Sequence, residues 1–167
     1  YREEGYMPEA LLNYLARLGW SHGDQEIFTI EEMTALFDIG DVNKSASAIN
    51  PDKLAWISQQ HMMRLPVARI AVELRWQLDK LGVDVSKGPP LEAIVEAQRE
   101  RSKNLKEMAQ ASRFFFLAPE TYDEKAARKN FTPESLPLLK QARAVLAELQ
   151  DWSAAAVHGA IQALAER

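Results

Sequence analysis

The sequence predicts an all-α protein, and three observations carry that prediction. Apolar residues recur at three- and four-residue spacing, helix-start signals precede those runs, and no segment alternates with a strand's period of two between turn dipeptides. In chain order, Pro8 stands at a first helical position, and Leu11, Leu15 and Leu18 share one face before Gly19 ends the segment. Thr29-Ile30-Glu31-Glu32 has the capping-box pattern, with Thr29 as N-cap ahead of Met33, Leu36 and Phe37. Asn50-Pro51 opens a helix that puts Leu54, Ile57 and His61 on one side. Val67 to Leu81 is a helix closed by Gly82. Lys87-Gly88-Pro89-Pro90 is a turn leading into a long helical run from Leu91, with residues 94–113 expected as one continuous helix. Thr132-Pro133 caps a helix to about Leu149, and Ser153 caps the last one. Joints are expected near Leu65-Pro66 and near Thr132-Pro133, dividing the chain into residues 1–65, 66–131 and 132–167.

The chain has 167 residues, 47% hydrophobic and 26% charged, enough for one or two small domains with real cores. No apolar run approaches the length of a membrane span, and the start, Tyr1-Arg2-Glu3-Glu4, is too polar for a signal peptide. The absence of cysteine excludes disulfides, thiol catalysis and cysteine-ligated zinc. A cytoplasmic setting fits. Tyr1 in place of Met, and a last helix without a C-cap glycine, lead us to expect a fragment trimmed at both ends.

The net charge of -4 is unevenly distributed. Residues 1–63 carry 4 Lys+Arg against 10 Asp+Glu, residues 64–113 carry 10 against 7, and residues 114–167 carry 6 against 7. The middle third is the basic one, where a polyanion contact is expected if the asymmetry is more than local variation.

Groups for catalysis are missing from the pattern. His22, His61 and His158 stand in no metal-ligand spacing, His22-Gly23-Asp24 reads as a turn, and the 7 glycines form no phosphate-binding loop. Trp20, Trp56, Trp76 and Trp152 fall in or beside helical segments, where core packing is the default, although a ring could stack on an unpaired base. If residues 98–113 form one helix, Arg99, Lys103, Lys106 and Arg113 share a side, a basic stripe suited to phosphates. Arg101 then falls opposite, in line with Ile94, Leu105 and Met108. Such a guanidinium could be in a buried ion pair, could snorkel to the rim, or could be a base-reading group held rigid by packing.

The residues carry a family resemblance. Tyr1-Arg2-Glu3-Glu4-Gly5-Tyr6-Met7-Pro8-Glu9-Ala10-Leu11-Leu12-Asn13-Tyr14-Leu15 resembles the segment that follows the KMSK loop in glutamyl-tRNA synthetases. Leu18-Gly19-Trp20-Ser21, Gly23-Asp24-Gln25-Glu26-Ile27-Phe28, Asn43-Lys44-Ser45-Ala46-Ser47-Ala48 and Asp52-Lys53-Leu54-Ala55-Trp56 are similar to the family's next blocks. The resemblance covers essentially the whole chain, densely to about Ile57 and more loosely beyond. It implies a class I synthetase that joins glutamate to tRNA-Glu using ATP and magnesium, with its HIGH and KMSK motifs upstream of Tyr1.

The part present then corresponds to a multi-helix stem-contact domain, residues 1–65, followed by a helical anticodon-binding bundle. That bundle has a first subdomain at 66–131 and the start of a truncated second at 132–167. This part alone is expected to be inactive and to hold no cofactor. Aligning on Leu105-Lys106-Glu107 places the family's reader of the third anticodon base at Arg101, as in enzymes that charge tRNA-Glu and refuse tRNA-Gln. Arg99, Lys103, Lys106 and Arg113 become backbone contacts, and Lys44, Lys53 and Trp56 stem-contact candidates. The expected partners are tRNA-Glu and the missing N-terminal catalytic domain, with a monomeric enzyme and no membrane. The other reading of the chain is a helical protein-interaction module, whose acidic residues 1–63 dock on a basic partner or on that catalytic domain.

Overall fold

In the computed structural model, which describes residues 1–166, the described residues form nine α-helices and three 3-10 turns and no strand. The helices are α1 (Pro8–Arg17), α2 (Ile30–Leu36), α3 (Pro51–Arg64), α4 (Val67–Lys80), α5 (Leu91–Gln98), α6 (Leu105–Ser112), α7 (Glu124–Asn130), α8 (Ser135–Ala147) and α9 (Ala154–Ala165). The 3-10 turns are Arg2–Glu4, Ile39–Asp41 and Arg113–Phe115. A single antiparallel bridge joins His22 to Gln25 around Gly23, the turn expected there. No described helix is long and apolar enough to cross a membrane.

Local chemistry accounts for most helix starts. Pro8 opens α1, where its missing N–H costs nothing and its fixed φ is already helical. Thr29 Oγ1 accepts the Glu32 N–H at 3.1 Å while a Glu32 carboxylate oxygen accepts the Thr29 N–H at 2.7 Å, a complete capping box. The Asn50 side chain caps α3 by accepting from the Lys53 N–H, and Gly82, at φ 68, ends α4.

The chain divides into two compact units, Tyr1–Ala118 and Pro119–Arg167. One core fills the first. It takes Met7, Ala10 and Tyr14 from the N-terminal region, Leu54, Ile57 and Met62 from α3, and Ile70, Leu74 and Leu78 from α4. Ile94 and Val95 from α5 and Leu105, Met108 and Ala109 from α6 complete it. Each buried Leu, Ile, Val or Met among them contributes about 1.5–3 kcal/mol by leaving water. This core passes without interruption across Leu65 and Pro66, which form the tight turn between α3 and α4. A smaller cluster of Trp20, Phe28 and Met33 lies under α2.

The one long helix expected over residues 94–113 does not form. Helix α5 ends at Gln98 and α6 begins at Leu105, with turn and bend between. The cause is Asn104, whose side chain accepts the Glu107 N–H at 2.9 Å and so starts a new helix rather than continuing the old one.

In the second unit α8 packs on α9, and no residue of α7, α8 or α9 is fully buried. Ser153 caps α9 through the Ala156 N–H, as expected. Thr132 accepts the Ser135 N–H at 3.3 Å, and α8 starts at Ser135.

Candidate nucleic-acid interface

The break between α5 and α6 makes the most basic exposed connection of the first unit. Across residues 99–104 the chain reads Arg99-Glu100-Arg101-Ser102-Lys103-Asn104. Ser102 turns inward, only 2% exposed, and its neighbours Arg101 and Lys103 are exposed. Arg99, half-buried, is the C-cap of α5. Among the described residues none of these three cations forms a salt bridge, which leaves the cationic groups to solvent or to a ligand.

The connection is pinned at several points. The Arg101 N–H donates to the Gln98 carbonyl at 3.0 Å, and Gln59 Nε2 from α3 donates to the Glu100 carbonyl at 3.0 Å. The Lys103 N–H donates to Glu107 Oε2 at 2.9 Å, and the Leu105 N–H donates to the Gly5 carbonyl at 2.9 Å. A backbone held this way presents its side chains at low entropic cost, and that suits recognition.

The expected basic stripe is therefore redistributed. Arg99 and Lys103 lie on either side of the break, Lys106 lies in the first turn of α6, and Arg113 starts the 3-10 turn after it. Lys106 is also engaged, its Nζ 2.8 Å from Glu4 Oε2. Arg101 does not lie on the apolar face with Ile94, Leu105 and Met108. With the helix broken, the 100° phasing that put it there no longer applies, and its guanidinium is exposed, without the desolvation cost of burial.

The stem-contact candidates separate too. Lys53 Nζ is 2.6 Å from Glu26 Oε1 and 4.4 Å from the centroid of the Trp56 ring, so charge and ring face are both occupied. The Lys53 hydrogen bond holds the Glu26 carboxyl below the usual carboxylate range. Lys44 is exposed in the loop before α3. Among the aromatic residues, Trp20 is buried in the smaller cluster, whereas Phe114, 64% exposed beside Arg113, offers an open ring whose centroid lies 4.1 Å from that of Phe115, the two planes tilted by 31°.

Sequence reasoning missed the break itself. Its signal was present in Asn104-Leu105-Lys106-Glu107, a cap residue followed three positions on by Glu. The anchoring role of Gly5, 100 positions before Leu105, had no local signal.

Residues 62–167 match the model of the anticodon binding domain family, and residues 1–56 match that of the class I tRNA synthetase (E and Q) catalytic domain. Glutamate–tRNA ligase 1 of Alkalilimnicola ehrlichii is 53% identical over 166 residues, which take in 99% of this chain and 35% of that protein. Glutamate–tRNA ligase 1 of Nitrosococcus oceani is 54% identical over the same shares. The crystal structure of a glutamate tRNA ligase from Elizabethkingia meningosepticum in complex with its amino acid superposes with a TM-score of 0.84 at 35% identity, covering 99% of this chain and 33% of that one. The chain thus spans about a third of the length of the relatives it matches. It belongs to the anticodon binding domain family and is homologous, over nearly its whole length, to part of the glutamate–tRNA ligases.

Proposed function

We propose that the chain is the tRNA-binding portion of a glutamate–tRNA ligase, a cytoplasmic, monomeric enzyme that joins glutamate to tRNA-Glu with ATP and magnesium. In this reading residues 1–65 contact the stem side of the tRNA, and the helices after Pro66 form the anticodon-binding part. Arg101 reads the third anticodon base, while Arg99, Lys103 and Arg113 contact phosphates, with Lys106 joining them once released from Glu4. Lys44 contacts the stem, and Lys53 and Trp56 do so only if their mutual contact opens.

The observation that carries this reading is the exposed connection Arg101-Ser102-Lys103, rigidly held, without internal ion partners among the described residues, and within the span that matches the anticodon binding domain family. Exposed cations on fixed backbone suit phosphate tracking, and an Arg fork suits a bidentate contact with a base edge.

Among the described residues no three His, Asp or Glu gather into a metal-holding group, and the glycines form no phosphate cradle. We assign ATP and magnesium chemistry to the rest of the parent ligase rather than to the described residues.

The test is a salt titration of tRNA-Glu binding to the intact ligase. Single neutral substitutions at Lys103 or Arg113 should lower the slope of log K against log salt by about one, equally for all tRNAs. Unchanged slopes for both would remove the phosphate contacts from the proposal.

A second reading, docking on a partner protein or on the rest of the ligase, is favoured by a groove of about 540 Å³ whose lining includes Leu12, Leu15, Ile30, Met33, Phe37 and Ile39. Leu15→Glu would then weaken association with that partner and leave RNA affinity unchanged.

A further inference from the structure

The segment Tyr1–Met7 is strapped across two helices that lie far from it in sequence. Arg2 Nε donates to Glu73 Oε2 at 2.9 Å, Gln77 Nε2 donates to the Arg2 carbonyl at 2.7 Å, and Lys80 Nζ is 2.6 Å from Glu3 Oε1, all on α4. Two further contacts reach α6: Lys106 with Glu4 at 2.8 Å, and the Leu105 N–H with the Gly5 carbonyl at 2.9 Å.

Gly5 is the tightest point. It is buried, its φ is 85, and a Cβ added there would lie 2.3 Å from the Lys106 backbone nitrogen and 2.9 Å from that of Leu105. Any side chain at this position therefore pushes on main chain, not on the movable end of a neighbour. The main chain it would push is the first turn of α6, whose cap residue Asn104 and whose Glu107 hold the Lys103 end of the basic connection.

We propose that Gly5 is a positioning residue for RNA selection: docked beneath the first turn of α6, it sets where Arg101 and Lys103 stand. In the other direction, RNA bound at the connection is felt at Tyr1–Met7. The proposal rests on the reading of residues 99–104 as an RNA contact. Coupling between the two places is reciprocal by linkage, so a change made at Gly5 must appear in RNA affinity, and RNA binding must appear in the protection of Tyr1–Met7.

The test uses the intact ligase and an anticodon stem-loop hairpin, a probe too short to reach the rest of the enzyme. Amide hydrogen exchange followed by mass spectrometry is expected to slow on hairpin binding both in residues 99–106 and in residues 1–7. Gly5→Ala should raise KM for tRNA-Glu roughly fivefold or more while kcat stays within about twofold. Gln77→Ala, which removes the strap's hydrogen bond to the Arg2 carbonyl and touches none of the cations at the connection, should shift KM the same way by less. A role in stability alone would lower the melting temperature and leave KM in place.

Slowing confined to residues 99–106 would overturn the positioning role while leaving the RNA contact standing. No slowing at 99–106 would remove the RNA contact and this inference with it. A folded Gly5→Ala enzyme with unchanged KM would also overturn the inference. If Gly5→Ala does not fold, the wild-type exchange and Gln77→Ala decide.

Discussion

His61 Nε2 lies 2.9 Å from Asn13 Oδ1, an oxygen that also accepts the Phe28 N–H at 2.9 Å, and both side chains are buried. The second bond makes Oδ1 an acceptor, and Asn13 Nδ2 donates to the Glu26 carbonyl at 3.0 Å, which fixes the amide's orientation. His61 Nε2 must therefore carry the proton, and the neutral ring suffices. One amide ties α1, α3 and the loop before α2 together.

Asn13→Ala should accordingly cost about 2–4 kcal/mol, because it strands a buried N–H, a carbonyl and an imidazole at once. Urea unfolding monitored by helical circular dichroism checks it. A loss below about 1 kcal/mol would mean that water or repacking satisfies all three groups.

Burial pushes the His61 pKa down from its ordinary 6.5, the nearby Glu9 carboxylate opposing and Arg64 assisting. The folded state therefore binds a proton less readily than the unfolded chain. The stability this contributes is present above the unfolded value and is lost as pH falls through the folded one, at up to about 1.4 kcal/mol per pH unit. Between pH 7.5 and 5.5 the wild type should lose more stability than His61→Gln. Parallel pH profiles for the two proteins would sink the assignment.

Asn104→Ala removes the cap that starts α6 and should destabilise by about 1 kcal/mol. The same change frees the N–H of Glu107, the residue whose carboxylate holds the Lys103 N–H, so RNA affinity should fall along with stability. A variant that is destabilised but binds RNA as before would show that the cap matters to the helix and not to the basic connection.

The helix inventory was largely legible because capping is local. Pro8, Thr29 with Glu32, Asn50 and Ser153 each act within three residues of themselves, and each does in the structure what its spacing implies. The error over residues 94–113 has the same physics. Apolar phasing ran on through Asn104, whose cap signal competed with the helical period and prevailed. The exposure of Arg101 followed from that one residue. The ion pairs of Arg2, Glu3 and Glu4 with Glu73, Lys80 and Lys106 were not legible, since they join positions more than seventy apart and leave no periodic trace.

Arg101 carries the central claim, and the most direct measurement is charging of tRNA-Glu and of tRNA-Gln by the intact ligase, wild type against Arg101→Gln. A bidentate Arg contact with a base edge is worth about 1–3 kcal/mol of discrimination. The kcat/KM ratio between the two tRNAs should therefore fall by roughly an order of magnitude or more in the variant, mainly through tRNA-Glu. An unchanged ratio, with both tRNAs charged as by the wild type, would contradict the account.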